Sequence, residues 1–86
     1  MLRAMKGVVV TMAMSFGEKI RRLREMRELN QAELGRHVRM TQRKISYIET
    51  GACEPCLEDI VAFCRFFRVS ADYLLGLSNE YDNPHT

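Results

Sequence analysis

The sequence predicts an all-α, compact five-helix domain on three grounds. Apolar residues recur at spacings of three and four in successive short stretches, residues that cap helices stand before those stretches, and the whole chain has only 86 residues. A content of 47% hydrophobic and 28% charged residues is too apolar for a disordered chain, and the length leaves no room for a second core.

The first helix opens at Phe16, where Ser15 and Glu18 form a capping box, and Phe16, Ile20, Leu23 and Met26 make its apolar stripe to about Leu29. Asn30 caps a second helix, Gln31 to Val38, with Leu34 and Val38 inward. Thr41 caps a third, Gln42 to Thr50, with Ile45 and Ile48 inward and Gly51 at the left-handed stop. Pro55 and Cys56 lead into a fourth, on which Leu57, Ile60, Val61, Cys64 and Phe67 form the stripe. Ser70 caps a short fifth helix, Ala71 to Leu75, ended by Gly76. The predicted core is Phe16, Ile20, Leu23, Leu34, Val38, Ile45, Ile48, Leu57, Ile60, Cys64, Phe67, Val69 and Leu74. Three regions follow: an extension over 1–15, the helical domain over 16–77 and a polar tail over 78–86. Within the extension, Gly7 to Met14 is β-prone. It reads either as a strand pairing with its mate in a dimer or as a flexible leader ahead of a later start at Met12 or Met14.

Charge and composition narrow the function classes. The net charge is +2, but residues 1–50 carry eleven Lys or Arg against five acids, and residues 51–86 carry two against six. A basic half favours a polyanionic partner such as nucleic acid. The longest nearly uncharged stretch, Gly7 to Phe16, is interrupted by Thr11 and Ser15 and falls short of the roughly 18 apolar residues of a membrane helix, so no membrane partner is expected. The basic start, Met1 to Lys6, imitates a signal peptide without a small-residue cleavage site. Three cysteines, an odd number, suit a reducing compartment, and a cytoplasmic location is expected.

The informative stretch is Asn30 to Glu49: a short capped helix, a link of about three residues, and a second capped helix exposing Gln42, Arg43, Lys44 and Tyr47. This is a DNA-reading geometry, because the major groove admits one helix and only its first turn and one face reach base edges. Gln pairs with adenine through two hydrogen bonds and Arg with guanine likewise, while Lys44 suits guanine or phosphate.

Taken together, Phe16-Gly-Glu-Lys-Ile-Arg-Arg-Leu-Arg-Glu, Leu29-Asn-Gln-Ala-Glu-Leu, Met40-Thr-Gln-Arg-Lys-Ile-Ser-Tyr-Ile-Glu, Pro55-Cys-Leu-Glu-Asp-Ile and Val69-Ser-Ala-Asp-Tyr-Leu-Leu resemble the Cro and phage-repressor type (XRE-like) helix-turn-helix family over about residues 16–77. The resemblance implies a lambda-repressor-like fold and double-stranded DNA as partner. It implies base contacts from Gln42, Arg43, Lys44 and Tyr47, and phosphate contacts from Gln31, Arg39, Thr41 and Ser46. It also implies an ion pair between Arg24 and Glu49 that braces the first helix against the end of the third. Two family glycines are replaced here by Arg39 and Arg68, and Gly35 stands where the family prefers Ala, a change of one small residue for another that leaves function unaffected.

The resemblance thus points to a sequence-specific DNA-binding transcriptional regulator, a repressor acting as a homodimer on a near-palindromic operator, with Phe66 and Tyr73 as interface candidates. Alternatives are an antitoxin that autoregulates its operon and covers a toxin, and a protein-interaction module on the same fold. An anti-repressor partner stays open. Arg21, Arg22 and Arg27 read as a solvated face, and Phe63 and Phe66 as aromatic surface beyond what one packing face requires. Cys53-Glu-Pro-Cys56 invites a redox or zinc reading, but Cys56 takes the capping slot, Cys64 falls in the core stripe, and His37 and His85 lie 48 positions apart. No enzyme activity, metal or cofactor is expected. A thiol oxidoreductase using Cys53 and Cys56 is the competing class, and its activity would be indifferent to Gln42→Ala.

Overall fold

The computed structural model describes residues 14–77; the readings placed on the amino-terminal extension before Met14 and on the tail from 78 lie outside them. Five helices follow in order: α1 Phe16–Met26, α2 Gln31–Val38, α3 Gln42–Thr50, α4 Leu57–Phe67 and α5 Ala71–Leu74. Their starts are set by side chains that occupy free backbone donors. Ser15 Oγ accepts from the Glu18 N–H at 3.1 Å while Glu18 accepts the Ser15 N–H at 2.9 Å, and Asn30 with Glu33 repeats the exchange at 2.7 and 2.8 Å. Thr41 and Ser70 cap α3 and α5 through the N–H groups of Lys44 and Tyr73. At α4 the carboxylate of Asp59 reaches back to the Cys56 N–H at 3.1 Å.

The ends are set by left-handed residues. Gly51 closes α3 at φ 87°, whereas Arg39 closes α2 at φ 60° and Arg68 closes α4 at φ 59°. A third non-glycine residue, Glu28, sits at φ 57° and stops α1 short, so that helix ends at Met26 instead of Leu29. α5 likewise ends at Leu74, one residue before Leu75.

The core gathers Ile20, Leu23, Leu34, Val38, Ile45, Ile48, Phe63, Phe67, Val69 and Leu74, with Phe16, Ile60 and Cys64 half-buried at its edge. Two expectations are corrected. Phe63 is fully buried, edge-on to Phe16 and stacked on Phe67, so it is core and not surplus surface. Leu57 is 75% exposed and Val61 is 41% exposed. Both stripes of α4 fit a helical period, and the one carrying the larger rings turns inward because it removes more apolar area from water. Met26, the last residue of α1, is exposed as well.

Polar groups clamp the helices together. Lys19 is buried and its Nζ donates to the Tyr73 carbonyl at 2.7 Å, tying α1 to α5. Arg27, expected in solvent, donates to the carbonyls of Phe66 and Phe67 at 3.3 and 3.2 Å and caps the end of α4. Two glycines permit close crossings. A Cβ on Gly17 would run into the carbonyls of Ile48 and Glu49 at the end of α3, and one on Gly35 would meet the Met40 carbonyl, so Gly35 is not interchangeable with Ala.

Gly35→Ala is expected to lower unfolding free energy by about 1–3 kcal/mol, because backbone must shift to admit the methyl group. Arg68→Gly is expected to raise it by about 1 kcal/mol by relieving a left-handed side-chain clash. Urea denaturation checks both.

Candidate nucleic-acid interface

The centre of the site is an ion pair. Arg24 on α1 meets Glu49 on α3 through two bonds, Nε to Oε2 at 2.7 Å and Nη2 to Oε1 at 3.0 Å, with the two side chains 12% and 3% exposed. The remaining Arg24 nitrogen donates to the Leu29 carbonyl at 2.9 Å. Its hydrogen bond to Glu49 outweighs desolvation and holds the guanidinium above its ordinary pKa. Glu49 carries a second neighbour, since its Oε1 also accepts from Gln31 Nε2 at 3.1 Å. Gln31 in turn accepts from Gln42 Nε2 at 2.6 Å. Four side chains from three helices thus form one chain, Arg24 to Glu49 to Gln31 to Gln42, running from the interior to the exposed first turn of α3.

Beside Gln42 the outer face of α3 is exposed at Arg43 and Tyr47. Arg43 Nε donates to the Tyr47 hydroxyl at 3.2 Å and its guanidinium lies 5.8 Å from the ring centroid, so the two side chains form one ridge. Thr41 is exposed, and its hydroxyl oxygen accepts the Lys44 N–H, leaving its own proton to donate. Arg39 is exposed in the turn just before α3, held outward by its left-handed backbone. Ser46 is half-buried on α3 and its carbonyl accepts from Thr50. Gln31 stands at the first position of α2, where free backbone N–H groups and the helix dipole favour an anion.

Lys44 stands apart from these residues. Its ammonium pairs with Asp59 on α4 at 3.0 Å, which draws it off the ridge and towards the domain. Burial pushes the Asp59 carboxyl up, but the Lys44 ammonium and the Cys56 N–H together hold it below its ordinary value. The same hydrogen bond raises the Lys44 pKa. Sequence reasoning missed this pair and the Gln31–Gln42 bond; the available signal for the first was an acid three residues into α4.

The two interface candidates are engaged within the chain. Phe66 stacks on the His37 ring, 4.7 Å away and nearly parallel, and the Arg27 guanidinium lies 5.2 Å from its ring centroid. Tyr73 is half-buried, and the Lys19 ammonium lies 4.9 Å from its ring centroid. Among the described residues no three His, Cys, Asp or Glu side chains gather where they would hold a metal ion, and burial raises the Cys64 thiol pKa. No helix among the described residues is long and apolar enough to cross a membrane.

Removing one partner of the ion pair strands a buried charge, so Arg24→Ala is expected to lower stability by about 3–5 kcal/mol. Asp59, whose folded pKa is depressed, stabilises fully above the unfolded carboxyl value near pH 4, and that contribution is lost as pH falls through the lower folded value. The stability difference between wild type and Asp59→Asn is therefore expected to shrink on acidification below about pH 4, as read by urea titrations across pH.

Comparisons with known proteins identify the family to which this fold belongs. The helix-turn-helix domain family matches residues 15–74. The P22 c2 repressor, crystallised with a synthetic operator, superposes with a TM-score of 0.70 at 34% identity, covering 74% of this chain and 97% of that one. The solution structure of the DNA-binding domain of the same repressor gives 0.68 at 35% identity, over 77% and 90% of the two chains. PlcR of Bacillus thuringiensis shares the fold at a TM-score of 0.64 and 23% identity, over 71% of this chain and 21% of that one. The uncharacterized HTH-type transcriptional regulator YobD of Bacillus subtilis (strain 168) is 28% identical over 65 residues, 76% of this chain; the chain spans 58% of that curated relative's length. With the family's pattern matched across all five helices, the chain belongs to the helix-turn-helix domain family, of the Cro and phage-repressor type.

Proposed function

We propose that this chain is a sequence-specific DNA-binding transcriptional regulator of repressor type that reads a near-palindromic operator as a homodimer. The observation that carries the reading is the exposed ridge of α3, where Gln42 is fixed by Gln31 and Glu49 while Arg43 and Tyr47 stand free of the domain. A helix that presents an oriented amide and a guanidinium at its first turn matches the donor and acceptor pattern of major-groove base edges. Gln42 and Arg43 read bases and Tyr47 packs beside them. Gln31, Arg39, Thr41 and Ser46 hold the flanking phosphates and set the register. Lys44, paired with Asp59 in the free chain and still partly exposed, turns to guanine or a flanking phosphate when DNA is bound. The P22 c2 repressor's capture with operator DNA supports the same use of the fold here.

Selection from random duplexes at about 150 mM salt, followed by anisotropy on the enriched site and a scrambled control, tests the reading. An enriched inverted repeat is expected, with binding lost on the double change Gln42→Ala and Arg43→Ala; no enrichment overturns it. Arg43→Ala alone is expected to cost about 1–3 kcal/mol on the cognate site and to relax one base position, whereas Gln31→Ala, which removes a phosphate contact and frees Gln42, is expected to weaken binding to every sequence and also to narrow the margin of the cognate site over mismatched ones.

A further inference from the structure

The outward face of α4 has no role in anything described above. With 3.6 residues per turn, Leu57 and Val61 follow one another along the helix while Arg65, one turn further on, is displaced to the side on which Glu58 lies, and all four are exposed. Leu57 at 75% and Val61 at 41% are large apolar side chains in water, and among the described residues neither Glu58 nor Arg65 has an ionic partner. Leu57 and Val61 form the apolar part of the face, and beside it the charge runs from acidic at Glu58 to basic at Arg65. Glu58 and Arg65 balance, which disfavours a nucleic acid or an anionic membrane as occupant.

We infer that this face seats a second copy of the chain, with the two α4 helices antiparallel about a two-fold axis that passes between positions 61 and 62. The inference deepens the homodimer of the proposed function and rests on it. Antiparallel pairing about that point sets Glu58 of each copy opposite Arg65 of the other. Because such an axis leaves the lateral side of a residue unchanged, Glu58 and Arg65, which flank the line of Leu57 and Val61 on one side, meet on that same side. Val61 then packs on Val61 of the second copy, and Leu57 is covered near Cys64. The interface is isologous, each half supplying both signs of charge. A parallel pairing would set like charges together. A single helix pair buries less than the about 1,200 Å² of a stable interface, so the free dimer is weak and gains strength when two half-sites hold both copies.

Sedimentation equilibrium of the full chain, carried up to about 1 mM, tests this directly. The wild-type mass is expected to rise from 10.0 kDa towards twice that value. Glu58→Arg and Arg65→Glu, each on an exposed position that leaves the helical circular dichroism unchanged, are each expected to raise the dimer Kd by at least about tenfold. Mixing the two variants restores dimers, as does combining both changes in one chain. A wild type that stays monomeric throughout, a single variant that dimerises as well as wild type, or a mixture no better than its components overturns the inference. Anisotropy on a duplex carrying one half-site of the selected sequence separates this from the DNA reading. Glu58→Arg is expected to bind that half-site like wild type and to lose only the gain from a second half-site. Dimerisation without any half-site binding would sink the regulator reading and leave the α4 interface standing.

Discussion

The bidentate contact between Arg24 and Glu49 is the constraint on which the rest of the molecule depends. It joins the first helix to the far end of the third, and it does so where the backbone of Gly17 lies against the carbonyls of Ile48 and Glu49. Close approach and charge pairing require one another. A side chain at position 17 would push α1 away and open the carboxylate to water, and without the guanidinium the carboxylate would be a buried charge with only Gln31 to answer it. The remaining guanidinium nitrogen binds the Leu29 carbonyl and so also fixes the path from α1 into α2. The angle between the two helices of the motif is thereby tied to a third helix.

Most of the architecture is legible in the sequence because its signals are local. Ser15 with Glu18, Asn30 with Glu33, Thr41 and Ser70 announce helix starts through hydrogen bonds that span three residues, and Gly51 announces a stop. What the sequence conceals is choice among faces and partners. On α4 two apolar stripes satisfy the helical period, and only three-dimensional volume decides that Phe63 turns in and Leu57 turns out. The same holds for long cations. Arg27 reads as solvated charge and Lys44 as a guanine or phosphate contact, yet in the folded chain one caps the end of α4 and the other pairs with Asp59, because carbonyls and a carboxylate distant in sequence come within reach on folding. The exposed Gln42–Arg43 edge is visible from residue types and spacing alone; the bond that fixes Gln42 to Gln31 is not, since it joins positions eleven apart across a turn.

The turns themselves show a division between economy and use. Three left-handed positions hold Glu28, Arg39 and Arg68 where glycine is the easier residue. Arg39 lies beside the start of α3 and brings a cation to the edge of the ridge, so its strain coincides with the phosphate contact proposed for it. Nothing in the structure gives Glu28 or Arg68 a comparable return.

The hydrogen bond from Gln42 to Gln31 also bears on how selectively the ridge acts. A glutamine free in solvent samples many rotamers, and an adapting amide tolerates several partners. Held at 2.6 Å by a residue that is itself held by a buried carboxylate, Gln42 loses that freedom when the chain folds and not when it meets a ligand. For a rotamer-rich side chain the saving at association is about 0.5–1.5 kcal/mol. The same rigidity penalises mismatches, because an amide that cannot swing leaves its unmatched donor and acceptor dehydrated and unbonded. On the proposed reading, a short polar relay inside the domain therefore converts folding stability into discrimination at its surface.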